Sequence, residues 1–215
     1  MTYIVALTGG ICSGKTTISN SFKKIGIHVV DSDVISKKII ENNFLVFNAI
    51  KKKFGRKVLN IDNSINRSVL KKYIFYNKNN KLWLENLLHP KIYKESQLQI
   101  KSKKSVWCLW VVPLLIEKKL EKRVNRILLV DAPIKVQIKR MIQRDKINSE
   151  EAKKIVSLQS TRYERISVSD DIIYNNEKIH KLDWYSYYFD SLYTLLSKKN
   201  KKLKNFKKNK LTIFH

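Results

Sequence analysis

Tyr3-Ile4-Val5-Ala6-Leu7-Thr8 runs directly into Gly9-Gly10-Ile11-Cys12-Ser13-Gly14-Lys15-Thr16, and the fold follows from how this stretch is read. The first segment is apolar on both faces of a two-residue repeat, as a buried parallel strand requires. The second fits the spacing G-x-x-x-x-G-K-[ST]. In that pattern a tight loop turns backbone N–H groups toward phosphate oxygens, and the helix that follows adds the positive end of its dipole. Lys15 is then expected on the β- and γ-phosphates, and the Thr16 hydroxyl on Mg²⁺. The chain has five glycines, three of which (Gly9, Gly10 and Gly14) stand in this loop. Glycine is needed where a backbone must approach a ligand closely.

Outside the loop the composition sets limits. A chain of 215 residues with 43% hydrophobic content has room for one core, with or without insertions. The longest apolar run, Val106 to Ile116, is interrupted by Pro113 and is shorter than the roughly 18 residues of a membrane span, so no membrane association is expected. The N-terminus leads straight into the phosphate loop and shows no leader pattern. Cys12 and Cys108 are too few for a disulfide framework or a metal cluster, which points to a reducing, cytoplasmic setting. The net charge of +26 invites a nucleic-acid reading. However, the lysines are scattered among many Asn and Ile residues, as codon drift in an AT-rich genome would leave them, and nucleic acid is not the expected partner. Only the tail beyond Lys198 is a true cluster, and it is expected to stay solvated and disordered.

Strand-like runs at 3–8, 27–31, 106–112, 126–131 and 170–174 alternate with helical periodicity at 15–25, 33–41, 44–54, 67–76, 79–102, 134–145, 149–166 and 179–199. This order predicts an α/β fold: a P-loop-type parallel sheet covered by helices, interrupted by a helical insertion between the second and third strands. Asn148 and Glu151 read as a capping box opening the 149–166 helix. The arginines at 140, 144, 162 and 165 suit a lid over polyphosphate. The aromatic helix with Tyr185, Phe189 and Tyr193 is expected to pack on the sheet.

Asp31-Ser32-Asp33 ends the second strand, on the edge where ligands bind in open α/β sheets. Two carboxylates two residues apart on an extended segment point the same way, and either could accept a hydroxyl proton or assist Mg²⁺ through water. The alternative reading is that Asp33 caps the next helix.

These residues, together with Leu87-Leu88-His89-Pro90, Trp110 to Glu117, Gln143-Arg144-Asp145, Gln159 to Arg162 and Asp170 to Asn176, resemble the dephospho-coenzyme A kinases in the same order over about residues 1–195. The resemblance implies ATP-dependent phosphorylation of the ribose 3′-hydroxyl of dephospho-CoA, with Mg²⁺. It implies a nucleotide-binding core at 1–61, 103–139 and 167–197, a CoA-binding helical insertion at 62–102 and a lid at 140–166, leaving the basic tail at 198–215. It also implies that Lys15, Asp33, Arg140 and Arg144 carry the chemistry, with Asp33 as general base. ATP would be held by Gly9 through Thr16 and by Asn175, and the acceptor by Asp31, Asp33, Arg67, His89, Pro113, Leu114 and Leu115. Without the resemblance, His89-Pro90 reads as a helix break, and Arg67 as one more surface cation. Cys12 stands where the family has glycine, and Ser32 where it has alanine. A left-handed backbone at Cys12 would cost on the order of 1 kcal/mol. Its thiol, beside Lys15 at a helix N-terminus, would be expected to ionise readily. Competing readings are another P-loop kinase, for nucleoside monophosphates or shikimate, and a basic nucleic-acid-binding P-loop ATPase.

Overall fold

In a computed structural model, which describes residues 2–75, 77–103, 105–176, 182–199 and 211–213, the strand that feeds the phosphate loop is central. Strand β1 (Tyr3–Thr8) pairs in parallel with β3 (Trp107–Val111) on one side and with β4 (Arg126–Asp131) on the other. β2 (Val29–Asp31), β5 (Asp171–Tyr174) and β6 (Leu211–Ile213) complete the order β2-β3-β1-β4-β5-β6. The chain therefore winds first to one side of β1 and then to the other. That reversal opens a crevice at the C-terminal end of β1, which is where the glycines lie.

One compact unit comprises Met1–Val30 and Ile100–His215. Helix α1 (Lys15–Lys24) lays Ile18 and Phe22 on the sheet. The last long helix presents Tyr185, Phe189, Tyr193 and Leu196, spaced at helical intervals, to the same core as Val5, Leu7 and Leu109. Trp107 meets Phe22 and Tyr193 edge-on at 5.7 and 5.1 Å, and its indole N–H donates to Asp190 at 2.9 Å. The aromatic helix thus packs on the sheet as its periodicity predicts.

The second unit, Asp31–Gln99, is helical. It contains α2 (Ser32–Asn42), α3 (Phe44–Phe54), α4 (Arg67–Phe75) and most of α5 (Lys78–Ser102), closed around Ile40, Val46, Ile50, Val58, Leu70, Leu84 and Leu88. This unit matches the helical insertion expected between the second and third strands and takes in α2 and α3, which contribute three residues to its core, ahead of the 62–102 segment that the resemblance implies. Pro90 does not break the chain: α5 continues through it, losing only the N–H that the residue 86 carbonyl would have accepted.

Two further boundaries differ from the sequence reading. The expected 149–166 helix is two helices, and the basic tail is not uniformly unstructured. In the sheet unit follow α6 (Ile134–Asp145), α7 (Ser149–Ser157), α8 (Arg162–Val168) and α9 (Leu182–Lys199). Asn148 caps α7 through the Glu151 N–H, but the reciprocal capping box lies at Thr161 and Glu164, where it starts α8. Lys198 and Lys199 end α9, and Leu211–Ile213 adds β6 in parallel to β5. Residues 179–181 of the expected final helix and 200–210 and 214–215 of the tail lie outside the described residues. Among the described residues no helix is long and apolar enough to cross a membrane.

A buried ion pair joins β4, β5 and α9. Arg126 donates from Nε and Nη2 to both oxygens of Asp171, at 2.7 and 2.8 Å, and the Tyr193 hydroxyl donates to Asp171 at 2.9 Å. Burial opposes the Arg126 charge, but the hydrogen bonds and charge of Asp171 outweigh it and hold the guanidinium pKa above its ordinary value. Removing one partner leaves the other charge buried. Asp171→Ala is expected to cost about 3–5 kcal/mol, and Tyr193→Phe about 1 kcal/mol. Urea unfolding curves check both, with the ranking Asp171 over Tyr193 as the diagnostic result.

Candidate active site

The glycines of the phosphate loop are fixed by what surrounds them. Gly9 has φ 154°, and a Cβ there would lie 2.3 Å from the Val130 carbonyl oxygen. A Cβ on Gly10 would lie 2.3 Å from Gln137 Oε1, on α6. Gly14, at φ 104°, turns the chain into α1. At Gly9 and Gly10 the loop therefore rests against β4 and α6 with no room for a Cβ.

Most of its carbonyls are hydrogen-bonded. Lys15 Nζ donates to the carbonyls of Gly9 and Gly10, both at 2.8 Å. Arg140 Nη1 donates to the Cys12 carbonyl at 3.4 Å, and Asn175 Nδ2 donates to the Ser13 carbonyl at 2.7 Å. The Gly14 carbonyl accepts the Ile18 N–H as the first turn of α1 closes. Arg140 also donates to Asn175 Oδ1 at 3.1 Å, and the Asn175 N–H donates to the Asp131 carbonyl at 2.7 Å. The Ser13 N–H donates to the Gly10 carbonyl at 3.1 Å, and the first N–H groups of α1, which have no intrahelical acceptor, form the kind of helix start that suits an anion.

The structure separates the four arginines proposed for a lid. Arg140 grips the loop. Arg144, with a side chain 58% exposed, forms a bidentate pair with its neighbour Asp145. Arg162 forms a bidentate pair with the buried Asp131 at 2.7–3.1 Å. Arg165 is buried, burial lowers its pKa, and it donates to the Ser160 carbonyl. It is therefore an internal group and not a phosphate ligand in this arrangement. Thr16 is exposed in the first turn of α1. Pro113 and Leu114 are half-buried in the turn after β3, whereas Leu115 is fully buried and belongs to the core.

The remaining candidates belong to the helical unit. Asp31 and Asp33 are not two residues of one extended segment. Asp31 is the N-cap of α2 and accepts the N–H groups of Asp33 and Val34 at 2.9 and 3.3 Å, while Asp33 is exposed in the first helical turn. The capping residue is Asp31 rather than Asp33. Arg67 opens α4 and is exposed, and His89 is half-buried within α5.

Several residues that hold the site carry no strong local signal: Gln137, whose Nε2 donates to the Ala132 carbonyl at 2.7 Å; Gln159, whose Oε1 accepts the Ile11 N–H at 2.8 Å; Glu117; and Asp131. Thr161-x-x-Glu164 was the one available signal, since a capping box there predicts a break just after Gln159.

Cys12 adopts φ 55°, the left-handed conformation that its glycine-like position demands. The expectation of a readily ionised thiol is overturned. Burial raises its pKa and outweighs the lowering by the charges of Arg144, Lys15 and Arg140. Cys108 is pushed further, to about 12, by burial in β3. Iodoacetamide at pH 7.5 should therefore modify Cys12 more slowly than free cysteine, with the rate climbing as pH rises past 9, and should leave Cys108 unmodified. Peptide mass mapping over a pH series checks this. Cys12→Gly should keep the fold and activity, since glycine takes φ 55° without the penalty of a Cβ.

The comparisons with known proteins agree with this geometry. The dephospho-CoA kinase family model matches residues 3–181. A dephospho-CoA kinase of Buchnera aphidicola subsp. Acyrthosiphon pisum (strain APS) is 64% identical over 218 aligned residues, covering 100% of each chain. That of Escherichia coli (strain K12) is 45% identical over 176 residues, covering 82% of this chain and 85% of its own. Among solved structures, dephospho-CoA kinase from Campylobacter jejuni superposes with a TM-score of 0.66 at 29% identity, covering 93% of this chain and 100% of that one. A Thermus thermophilus protein shares the fold with a TM-score of 0.75 at 24% identity, over 89% and 96% of the two chains. A sheet that reverses at its phosphate-loop strand, the ordered motifs and this identity together establish that the chain belongs to the dephospho-CoA kinase family.

Proposed function

We propose that the protein transfers the γ-phosphoryl group of ATP to the ribose 3′-hydroxyl of dephospho-CoA, releasing ADP and coenzyme A. The observation that carries this reading is the ordered phosphate loop, whose Gly9, Gly10, Cys12 and Ser13 carbonyls accept hydrogen bonds from Lys15, Arg140 and Asn175. Such a loop can receive a triphosphate with little reorganisation. Lys15 then exchanges two neutral carbonyl oxygens for charged phosphate oxygens. The 3′-oxygen bonds to the γ-phosphorus as the bond to the β–γ bridging oxygen breaks, and the hydroxyl proton passes to the Asp33 carboxylate. Arg140 and Arg144 offset charge on the transferring group, and Arg67, His89, Pro113 and Leu114 contribute to the acceptor side. Burial of Leu115 limits it to shaping that turn from beneath.

Thr16 fits the Mg²⁺ role because its side chain is exposed at the second position of α1. Among the described residues no three His, Cys, Asp or Glu side chains converge on a metal site. That donor set suits an ion that arrives with ATP and keeps phosphate and water oxygens as its main ligands. When bound, such an ion neutralises charge on the β- and γ-phosphates. Both cysteines are free thiols, in keeping with a cytoplasmic setting.

ADP formation measured with dephospho-CoA, AMP, shikimate or no acceptor tests the assignment. Dephospho-CoA is expected to raise turnover far above the other arms, and equal turnover with AMP would overturn it. Lys15→Ala should abolish transfer with thermal unfolding unchanged. Asp33→Asn should lower kcat by roughly 10² or more while ATP affinity changes little. An unchanged kcat with altered Mg²⁺ dependence would reassign Asp33 to the metal.

A further inference from the structure

The non-helical linker between α7 and α8 ties two parts of the sheet unit together through consecutive residues. Half-buried Gln159 accepts the Ile11 backbone N–H on its Oε1 at 2.8 Å. The side-chain bonds from Lys15, Arg140 and Asn175 to the loop backbone are accepted by its carbonyls, so this bond is of the opposite sense. Ser160 donates its own N–H to Glu117 Oε1 at 2.7 Å, and its carbonyl accepts the Arg165 guanidinium. Glu117 lies in the turn that begins at Pro113. Two residues further on, Arg162 anchors α8 to Asp131 at the end of β4. The linker is thus held at both ends and spans from the phosphate loop to the Pro113–Glu117 turn.

We propose that Gln159 and Glu117 are positioning residues, and that Gln159-Ser160 acts as a strut fixing the phosphate loop against the Pro113–Glu117 turn. This rests on the kinase reading, in which the loop holds the phosphoryl donor and that turn contributes to the acceptor side. The strut touches no reacting atom in this role. It sets the spacing of donor and acceptor, on which in-line transfer depends steeply. Loss of the strut therefore lowers kcat while leaving ATP binding largely intact, because Asn175 still holds the Ser13 carbonyl and Lys15 can still move to phosphate as in the intact loop.

Gln159→Leu and Glu117→Leu each remove an acceptor. Each should lower kcat by about tenfold or more with ATP KM within about threefold of wild type. Gln159→Glu and Glu117→Gln keep an acceptor oxygen and should recover most of kcat. The Gln159→Leu/Glu117→Leu double variant should be no worse than the poorer single, since both break one strut. Amide hydrogen exchange in the nucleotide-free protein gives a readout independent of activity. Ile11 should exchange faster in Gln159→Leu but not in Gln159→Glu, and Ser160 faster in Glu117→Leu but not in Glu117→Gln. Unchanged exchange at Ile11, a kcat within twofold of wild type, additive losses in the double variant, or no recovery by the conservative variants would each overturn the proposal. If wild-type enzyme shows no preference for dephospho-CoA, the kinase reading fails, and the exchange pattern still decides whether the strut exists.

Discussion

A loop that offers N–H groups to a ligand must first find partners for its carbonyls, and this constraint organises the site. A carbonyl held against protein without a hydrogen bond is costly, and within the loop the Ile11 and Ser13 N–H groups are themselves bonded, to Gln159 Oε1 and to the Gly10 carbonyl. Lys15, Arg140 and Asn175 supply those partners for Gly9, Gly10, Cys12 and Ser13. Asn175 is in turn located by its N–H on the Asp131 carbonyl, and the Asp131 carboxylate anchors Arg162. The loop geometry is therefore a property of the ends of β4 and β5 and of α6 as much as of the loop sequence. The same holding explains how Cys12 survives at φ 55°: a penalty on the order of 1 kcal/mol is small beside several bonds that fix the neighbouring peptides.

The parts legible in the sequence were those governed by local rules. Apolar runs locate all five expected strands within two residues at each end, because a strand buried on both faces leaves a short apolar run. The glycine spacing located the loop because φ and close approach restrict those positions to one residue type. What escaped depended on partners distant in sequence. Gln137 and Gln159 are ordinary polar residues until Gly10 and Ile11 are brought against them, across separations of more than 120 residues. The α7–α8 break was hidden by apolar residues that continue at helical spacing through Ile155, Val156 and Leu158. β6 is three residues in a lysine-rich tail, too short for periodicity to register. Asp31 and Asp33 were read as a pair on one strand, but an aspartate at a strand end satisfies the next helix's free N–H groups, and that capping separates them.

The scarcity of acidic groups sorts the cations further. With 44 basic residues and 18 acidic ones, most lysines and arginines cannot have a carboxylate partner. Arg126, Arg144 and Arg162 nevertheless hold bidentate carboxylate pairs. Lys15 and Arg140 donate to neutral carbonyl and carboxamide oxygens. A cation on a neutral oxygen gains when it moves to a phosphate, because the new bond is charge-assisted and the old one was not. A cation on a carboxylate exchanges one charged acceptor for another and leaves an unpaired anion beside the incoming triphosphate. Under the proposed reaction the carbonyl bonds of Lys15 and Arg140 could be exchanged for charge-assisted ones, whereas Arg126 and Arg162 are held by carboxylates and Arg144 would first have to leave Asp145. Its exposure, with a partner on the adjacent residue, makes that exchange cheaper than it would be for a buried pair. Salt accordingly screens the exposed Arg144–Asp145 pair and leaves the buried Arg126–Asp171 pair almost untouched.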